Sequence, residues 1–206
     1  MNKIIQLYED LKKKHGSPLG QWSLWCKRPK SLREKEEVII GAILTQNTNW
    51  QNVSRAIDNL RQAKSLSLKA IFKMDKEKLA TLIRPAGFFN SKTNYLINVA
   101  EYFLKNGGVK KVEQKDKFEL RKEILDLKGV GPETGDSILL YAFNKELFVI
   151  DEYTRRLCAK KKISQKKEYS YLQKIFTKNL PEDLATYQDF HALIVIDAKQ
   201  KVLIKR

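Results

Sequence analysis

The sequence predicts an all-α protein, and three observations carry that reading. Apolar residues recur at the three- and four-residue spacing of helices along most of the 206 residues. No run sustains the period-two alternation of a half-buried strand between turn signals. The segments between the apolar stripes are short, as between packed neighbouring helices.

Taken in order, the first segment, "MNKIIQLYEDLKKKHG", sets Ile4, Ile5, Tyr8 and Leu11 on one stripe. Val38, Ile39, Ala42 and Ile43 mark a buried helix that ends near "LTQNT". Helices are expected next at about 51–63, 66–74, 76–83 and 91–105, the last entered through the punctuated loop "RPAGFFNS". In that loop Asn90 or Ser91 is the expected N-cap; Lys92 is long enough to reach a phosphate, but no such contact is assigned to it. Two helices at about 117–127 and 133–143 flank a glycine-rich turn. Helices at 152–161, 167–178 and from about 182 complete the series, and "LFVID" reads as a short extended piece before them. There is no internal repeat and no low-complexity linker.

Hydrophobic residues make up 42% of the chain, enough for the core of one domain or of two small ones. Lys and Arg number 40 against 24 Asp and Glu, a net charge of +16. A globular chain this basic is attracted to polyanions, nucleic acid above all; a Lys-rich proteome that adds charge for solubility is the competing account. The clusters "LKKKH", "AKKKIS" and "QKKE" read as solvated faces. Cys26 and Cys158 stand far apart without metal-ligand spacing, which argues against a zinc or iron–sulfur site and fits a reducing compartment. The first segment lacks the apolar core of a signal peptide, and no stretch reaches the length of a membrane span. The expectation is a soluble monomer, cytoplasmic and nucleoid-associated in a prokaryote, with no membrane partner.

The stretch "LKGVGPETGDSILLYA" (127–142) carries the first chemical signal. Gly129 and Gly131 can take positive φ in a tight turn, and Pro132 suits the first turn of the helix after it. Val130 is expected to point inward between them. The turn leaves backbone amides at a helix N-terminus, a geometry suited to a phosphate oxygen. A plain corner between two helices explains the same residues equally well. About twenty residues on, "FVIDEYTRRL" is an apolar run ending in a carboxylate, Asp151. By residue type alone Asp151 reads as the N-cap of the next helix.

Together these motifs resemble the endonuclease III superfamily of DNA glycosylases. "LKGVGPET" is similar to its helix-hairpin-helix, and "VIDEYTRR" to the segment carrying its aspartate. "ILTQNT" (43–48) resembles its wedge-residue loop, "GFFNSK" (87–92) its "G(L/F)YNxKA" segment, and "FHALIVIDAKQ" (190–200) the stretch before its metal cluster. The match spans roughly residues 30–200 in family order and looks most like the small 3-methyladenine DNA glycosylase III type.

The resemblance implies roles residue by residue. Asp151 becomes the catalytic carboxylate, which stabilises positive charge on the sugar or orients the attacking water; capping a helix does not conflict with that. Gly129, Val130, Gly131 and Thr134 become the DNA-gripping hairpin, and Gln46 the wedge that fills the hole left by a flipped base. Trp22, Trp25 and Trp50 become pocket aromatics, suited by cation–π attraction to an alkylated, positively charged purine, although each is equally at home in a core. Glu133 stands at the pocket position where strand-nicking members carry a nucleophilic lysine, so a monofunctional enzyme is implied. First-turn helix stabilisation is a sufficient reason for a glutamate there. Lys128 precedes the turn and is expected to point elsewhere, and the lone His191 is expected to be a packed structural residue.

The chain departs from cluster-bearing members at its end, where "DAKQKVLIKR" replaces the cysteines. No cofactor and no metal is therefore expected, with last-helix packing and a lysine such as Lys199 or Lys201 stabilising that end. The implied architecture is a six-helix domain at 31–143 and a second at 1–30 plus 144–206, with the active-site cleft between them. The implied function is removal of alkylated purines such as 3-methyladenine from double-stranded DNA. Excision of a mismatched or oxidised base, and a non-catalytic damage-binding module, are the alternatives.

Overall fold

The computed structural model describes residues 2–203, and side chains as far as residue 200. Those residues form helices, turns and loops and no strand. In chain order the helices are α1 (Lys3–His15), α2 (Trp22–Trp25), α3 (Leu32–Leu44), α4 (Trp50–Gln62), α5 (Leu68–Lys73) and α6 (Lys76–Ile83). A 3-10 turn at Arg84–Ala86 leads to α7 (Phe89–Lys105), α8 (Val109–Val112), α9 (Lys117–Leu125) and α10 (Pro132–Ala142). The series ends with α11 (Glu152–Lys160), α12 (Tyr169–Asn179) and α13 (Leu184–Leu203). The four-residue helices α2 and α8 have no sequence counterpart, because one turn is too short to display a periodic stripe.

The chain divides into two compact units, residues 1–28 with 144–206 and residues 29–143. In the first, α1 and α11 pack along α13, and α12 packs on α1. Its core is aromatic: Phe148 stacks on Phe176 with centroids 4.5 Å apart, and Phe190 lies 5.7 Å from Phe148 and 5.3 Å from Tyr8. Buried Asp197 on α13 binds Lys14 at 2.6 Å and His15 at 3.1 Å, fastening the end of α1. Ile5 turns to solvent, so the apolar stripe of α1 is Ile4, Leu7, Tyr8 and Leu11. The "LFVID" run is buried from Leu147 to Ile150 but pairs with no strand. Instead the Phe148 carbonyl accepts a hydrogen bond from the Gln173 side chain at 2.8 Å.

The second unit is built around α3 and α10, which pack on each other and are buried on most sides. A capping box of Ser31 and Glu34 opens α3. Asn49, Ser67, Asp75 and Asp116 cap α4, α5, α6 and α9 through their side chains. Helix α7 departs from expectation. It starts at Phe89, and the residue before it, Phe88, is left-handed at φ 47° and supplies no side-chain cap. Asn90 and Ser91 therefore lie inside the first turn and are exposed. Lys92 turns inward. It is only 2% exposed, and its Nζ donates to the carbonyls of Leu44 at 2.7 Å and Ala86 at 2.8 Å.

Between α9 and α10, Arg121 grips the fully buried Asp136 with two hydrogen bonds, at 2.7 and 3.1 Å, closing the hairpin. Gly129 takes φ 94°, and a Cβ there would overlap the Tyr95 ring of α7. Val130 is buried beneath the turn. Gly131 differs from expectation, being extended at φ −89° with open space where a Cβ would stand. Its place is set by the start of α10, not by a left-handed bend.

The two glycines should therefore respond differently. Gly129→Ala meets both positive φ and the Tyr95 ring and should cost about 3 kcal/mol, read as a melting temperature roughly 6–12 °C lower. Gly131→Ala, at negative φ and in open space, should lose only the N-cap preference of glycine over alanine, about 1 kcal/mol or less. Equal melting temperatures for the two variants would contradict this account of the turn.

Candidate functional site

In the first unit the chemistry gathers around Asp151. The buried run 147–150 delivers this residue to the start of α11, where its side chain becomes the N-cap. Oδ1 accepts from the Thr154 amide at 2.7 Å and from the Thr154 hydroxyl at 2.8 Å. Oδ2 faces the His191 Nε2 at 3.5 Å, longer than a well-formed hydrogen bond and within ion-pair distance of a protonated imidazole. Burial pushes the Asp151 carboxyl towards the neutral form, yet His191 and the Thr154 donors outweigh it and hold its pKa below the ordinary value. The outcome is an ionised carboxylate with one oxygen fixed to the backbone and the other turned to a histidine.

Aromatic and cationic groups complete this cluster. The Trp22 ring meets His191 edge-on at 5.7 Å and Trp25 at 5.9 Å, and both tryptophans are buried. Burial lowers the pKa of the Lys199 ammonium, partly countered by the negative charge of Asp151. Its Nζ lies 3.4 Å from Gln21 Oε1. Lys199 thus shares the electrostatic surroundings of Asp151, in addition to lying near the C-terminal end; the side chain of Lys201 falls outside the described residues. Such a site can hold negative charge against a cation or a developing positive centre in a partly dry setting.

In the second unit the loop after α3 meets the hairpin. The Gln46 Nε2 donates to the Gly129 carbonyl at 2.9 Å and to the Thr134 hydroxyl at 3.1 Å, so Gln46 and Thr134 brace the turn from within the chain. Asn47 beside it is left-handed at φ 50°. Trp50, half-buried, opens α4. Gly131, Pro132 and Glu133 are exposed at the start of α10, where no side chain caps the helix among the described residues. That arrangement presents amides and the positive end of a helix dipole to solvent.

The sequence-predicted residues therefore fall in two bodies. Asp151, Trp22 and Trp25 share one cluster; Gln46, Gly129, Val130, Gly131 and Thr134 share another, with Glu133 beside it in the first turn of α10 and Trp50 at the start of α4. The neighbour of Asp151 that sequence reasoning missed is His191, which is packed as expected but against the carboxylate. Forty residues separate the two, and no spacing rule links them. Phe88 was also passed over, although it is an aromatic 68% exposed on left-handed backbone. Its signal was the "GFF" triplet, in which a bulky residue comes after a glycine at a turn.

An iron–sulfur cluster of the kind some relatives carry requires four thiolates, and the chain has two cysteines. Neither is disulfide-bonded, and burial raises the Cys158 thiol to about 11, away from the thiolate a metal needs. Among the described residues no His, Cys, Asp and Glu group is arranged to hold a metal ion, and no helix is long and apolar enough to cross a membrane.

Comparison with known proteins gives a consistent picture. A family model described as "HhH-GPD superfamily base excision DNA repair protein" matches residues 40–182. The Methanocaldococcus jannaschii protein "Putative DNA repair glycosylase MJ1434" is 48% identical over 168 residues, covering 80% of this chain and 76% of that one. Endonuclease III of Buchnera aphidicola is 27% identical over 80% of this chain and 77% of its own. Among solved structures, H. pylori 3-methyladenine DNA glycosylase bound to 1,N6-ethenoadenine superposes with a TM-score of 0.79 at 34% identity, covering 96% of both chains. A trapped endonuclease III–DNA covalent intermediate shares the fold with a TM-score of 0.71 at 15% identity, over 94% of this chain and 83% of that one.

The Asp151 geometry predicts a specific pH signature. Because its folded pKa is lowered, the stability its charge contributes is complete above the unfolded value of about 4 and is lost as pH falls through the folded value. Asn caps helices as well as Asp does, so Asp151→Asn should fold. In denaturant titrations the stability gap between parent and Asp151→Asn should narrow as pH drops below about 4. A gap that widens on acidification would reverse the assigned sign.

Proposed function

This chain belongs to the HhH-GPD superfamily of base excision DNA repair proteins, and from that premise we propose that it is a monofunctional DNA glycosylase acting as a monomer on alkylated purines such as 3-methyladenine in double-stranded DNA. The observation that carries the reading is the buried, ionised Asp151 with one oxygen fixed by Thr154. Hydrolysis of an N-glycosidic bond builds positive charge on the sugar, and a preorganised carboxylate is what that charge requires. A cationic purine leaves as a neutral base with the electron pair of the broken bond. Water then bonds to the sugar carbon, its proton passes to solvent, and an abasic site remains.

The substrate class is supported by the kinship, at 34% identity, with a 3-methyladenine glycosylase solved with an ethenoadenine. The chain also carries Trp22, Trp25 and Trp50, whose rings attract cationic bases. A neutral mismatched or oxidised base would need protonation on leaving, and the Asp151 cluster holds its carboxylate ionised. Hydrolysis without strand cleavage is supported by Glu133, which puts a carboxylate in the first turn of α10 where a nicking enzyme needs an amine. Duplex contacts through the basic surface imply affinity that falls with salt.

Incubation with methylated DNA, then chromatography of the supernatant, is the direct test. Free 3-methyladenine is expected, with its release rate at least about 100-fold lower in Asp151→Asn. Borohydride should trap no covalent protein–DNA adduct; an adduct would mean that an amine, Lys199 included, attacks the sugar. Release of a different base would overturn the substrate class, and unchanged activity in Asp151→Asn would overturn the catalytic assignment.

A further inference from the structure

Lys92 is the least expected buried residue of the second unit. A charged ammonium loses its hydration on burial and needs its donors satisfied, and here its Nζ donates to carbonyls, not carboxylates. Each carbonyl ends a helical segment. Leu44 is the last residue of α3, and Ala86 is the last of the 3-10 turn. Carbonyls in these positions lack an intrahelical donor and stand at the negative end of a peptide-dipole array. One cation therefore closes two helix ends at once, with distances of 2.7 and 2.8 Å.

Both helix ends lead directly into turns whose tips, Asn47 and Phe88, are exposed. Two residues beyond Leu44 is Gln46, and two beyond Ala86 is Phe88, exposed at φ 47°. Each segment also contains a left-handed non-glycine residue, Asn47 in one and Phe88 in the other. Such backbone persists only where the surroundings hold it. Lys92 holds both sides, and from the same helix Tyr95 packs where a Gly129 Cβ would stand, against the hairpin. One face of α7 thus ties together three separated loops.

We propose that Lys92 is a positioning residue for DNA binding, fixing the spacing of the Gln46 turn and the Phe88 turn so that both meet the duplex around an extruded nucleotide. The proposal rests on the reading of this chain as a DNA glycosylase with Gln46 as its wedge, and adds that the exposed Phe88 turn meets the duplex beside it; its test is chosen so that the two can fail separately.

The measurement is affinity for a duplex with a tetrahydrofuran abasic analogue, relative to the same duplex undamaged, by fluorescence anisotropy at low temperature. Lys92→Met leaves both carbonyls without their donor and should lower that ratio at least tenfold, while undamaged-duplex affinity stays within twofold and the circular dichroism stays helical. If Lys92→Met does not fold, Lys92→Gln takes its place, a neutral donor too short to bridge both carbonyls, with the same expected loss. In a Gln46→Ala/Phe88→Ala background the Lys92 substitution should change the ratio no further, because its effect passes through those side chains. An unchanged ratio in the Lys92 variant overturns the proposal, as does an equal tenfold loss in that background. If Gln46→Ala/Phe88→Ala itself keeps the parental ratio, the placing of these turns on DNA falls together with the proposal. Base release by the parent protein is read separately and can still succeed or fail.

Discussion

Every helix leaves backbone amides unsatisfied at its start and carbonyls unsatisfied at its end. In a chain assembled from many short helices this is the governing constraint, because much of its backbone lies near a terminus. Small polar caps answer it at α3, α4, α5, α6 and α9. Elsewhere the answer comes from residues with more to do. Asp151 closes the start of α11, and Lys92 closes the ends of α3 and of the 3-10 turn. At α10 the N-cap is a glycine, which supplies no side-chain cap, and the first turn is exposed.

Rigidity in the second unit comes from those closures. The Gln46 amide reaches the hairpin carbonyl and the Thr134 hydroxyl, and Arg121 clamps Asp136 across the two hairpin helices. Gly129 is required twice over, by its backbone angle and by the Tyr95 ring beside it. Loops held in this way can keep polar and aromatic groups exposed without collapsing onto them. A base-excision enzyme has use for such loops, because the duplex must be distorted while the protein is not.

In the first unit the same economy of groups fixes a carboxylate. One Asp151 oxygen makes the cap and the other faces His191, so fold stability orients the carboxylate. His191 and the Thr154 donors lower the cost of keeping it charged in a buried setting, and Trp22 meets the imidazole edge-on. This division explains why a residue can read as an ordinary N-cap and still be the best candidate for catalysis.

What the sequence by itself determined was everything encoded locally. Helical periodicity located the longer helices to within a few residues and left one-turn helices such as α2 and α8 invisible. The "LKGVGPETG" turn was legible because glycine and proline impose their own backbone rules, although only Gly129 uses the left-handed freedom expected of both glycines. Asp151 was legible because it ends a buried run at a helix start, and the missing cysteines were legible by counting. Tertiary structure alone decided who stands beside whom. His191 meets Asp151 across forty residues, Gln46 meets Gly129 across 83, and Lys92 turns inward to the Leu44 carbonyl across 48. Those pairings depend on how helices pack and on which buried polar group must find a partner, and neither leaves a periodic trace in the chain.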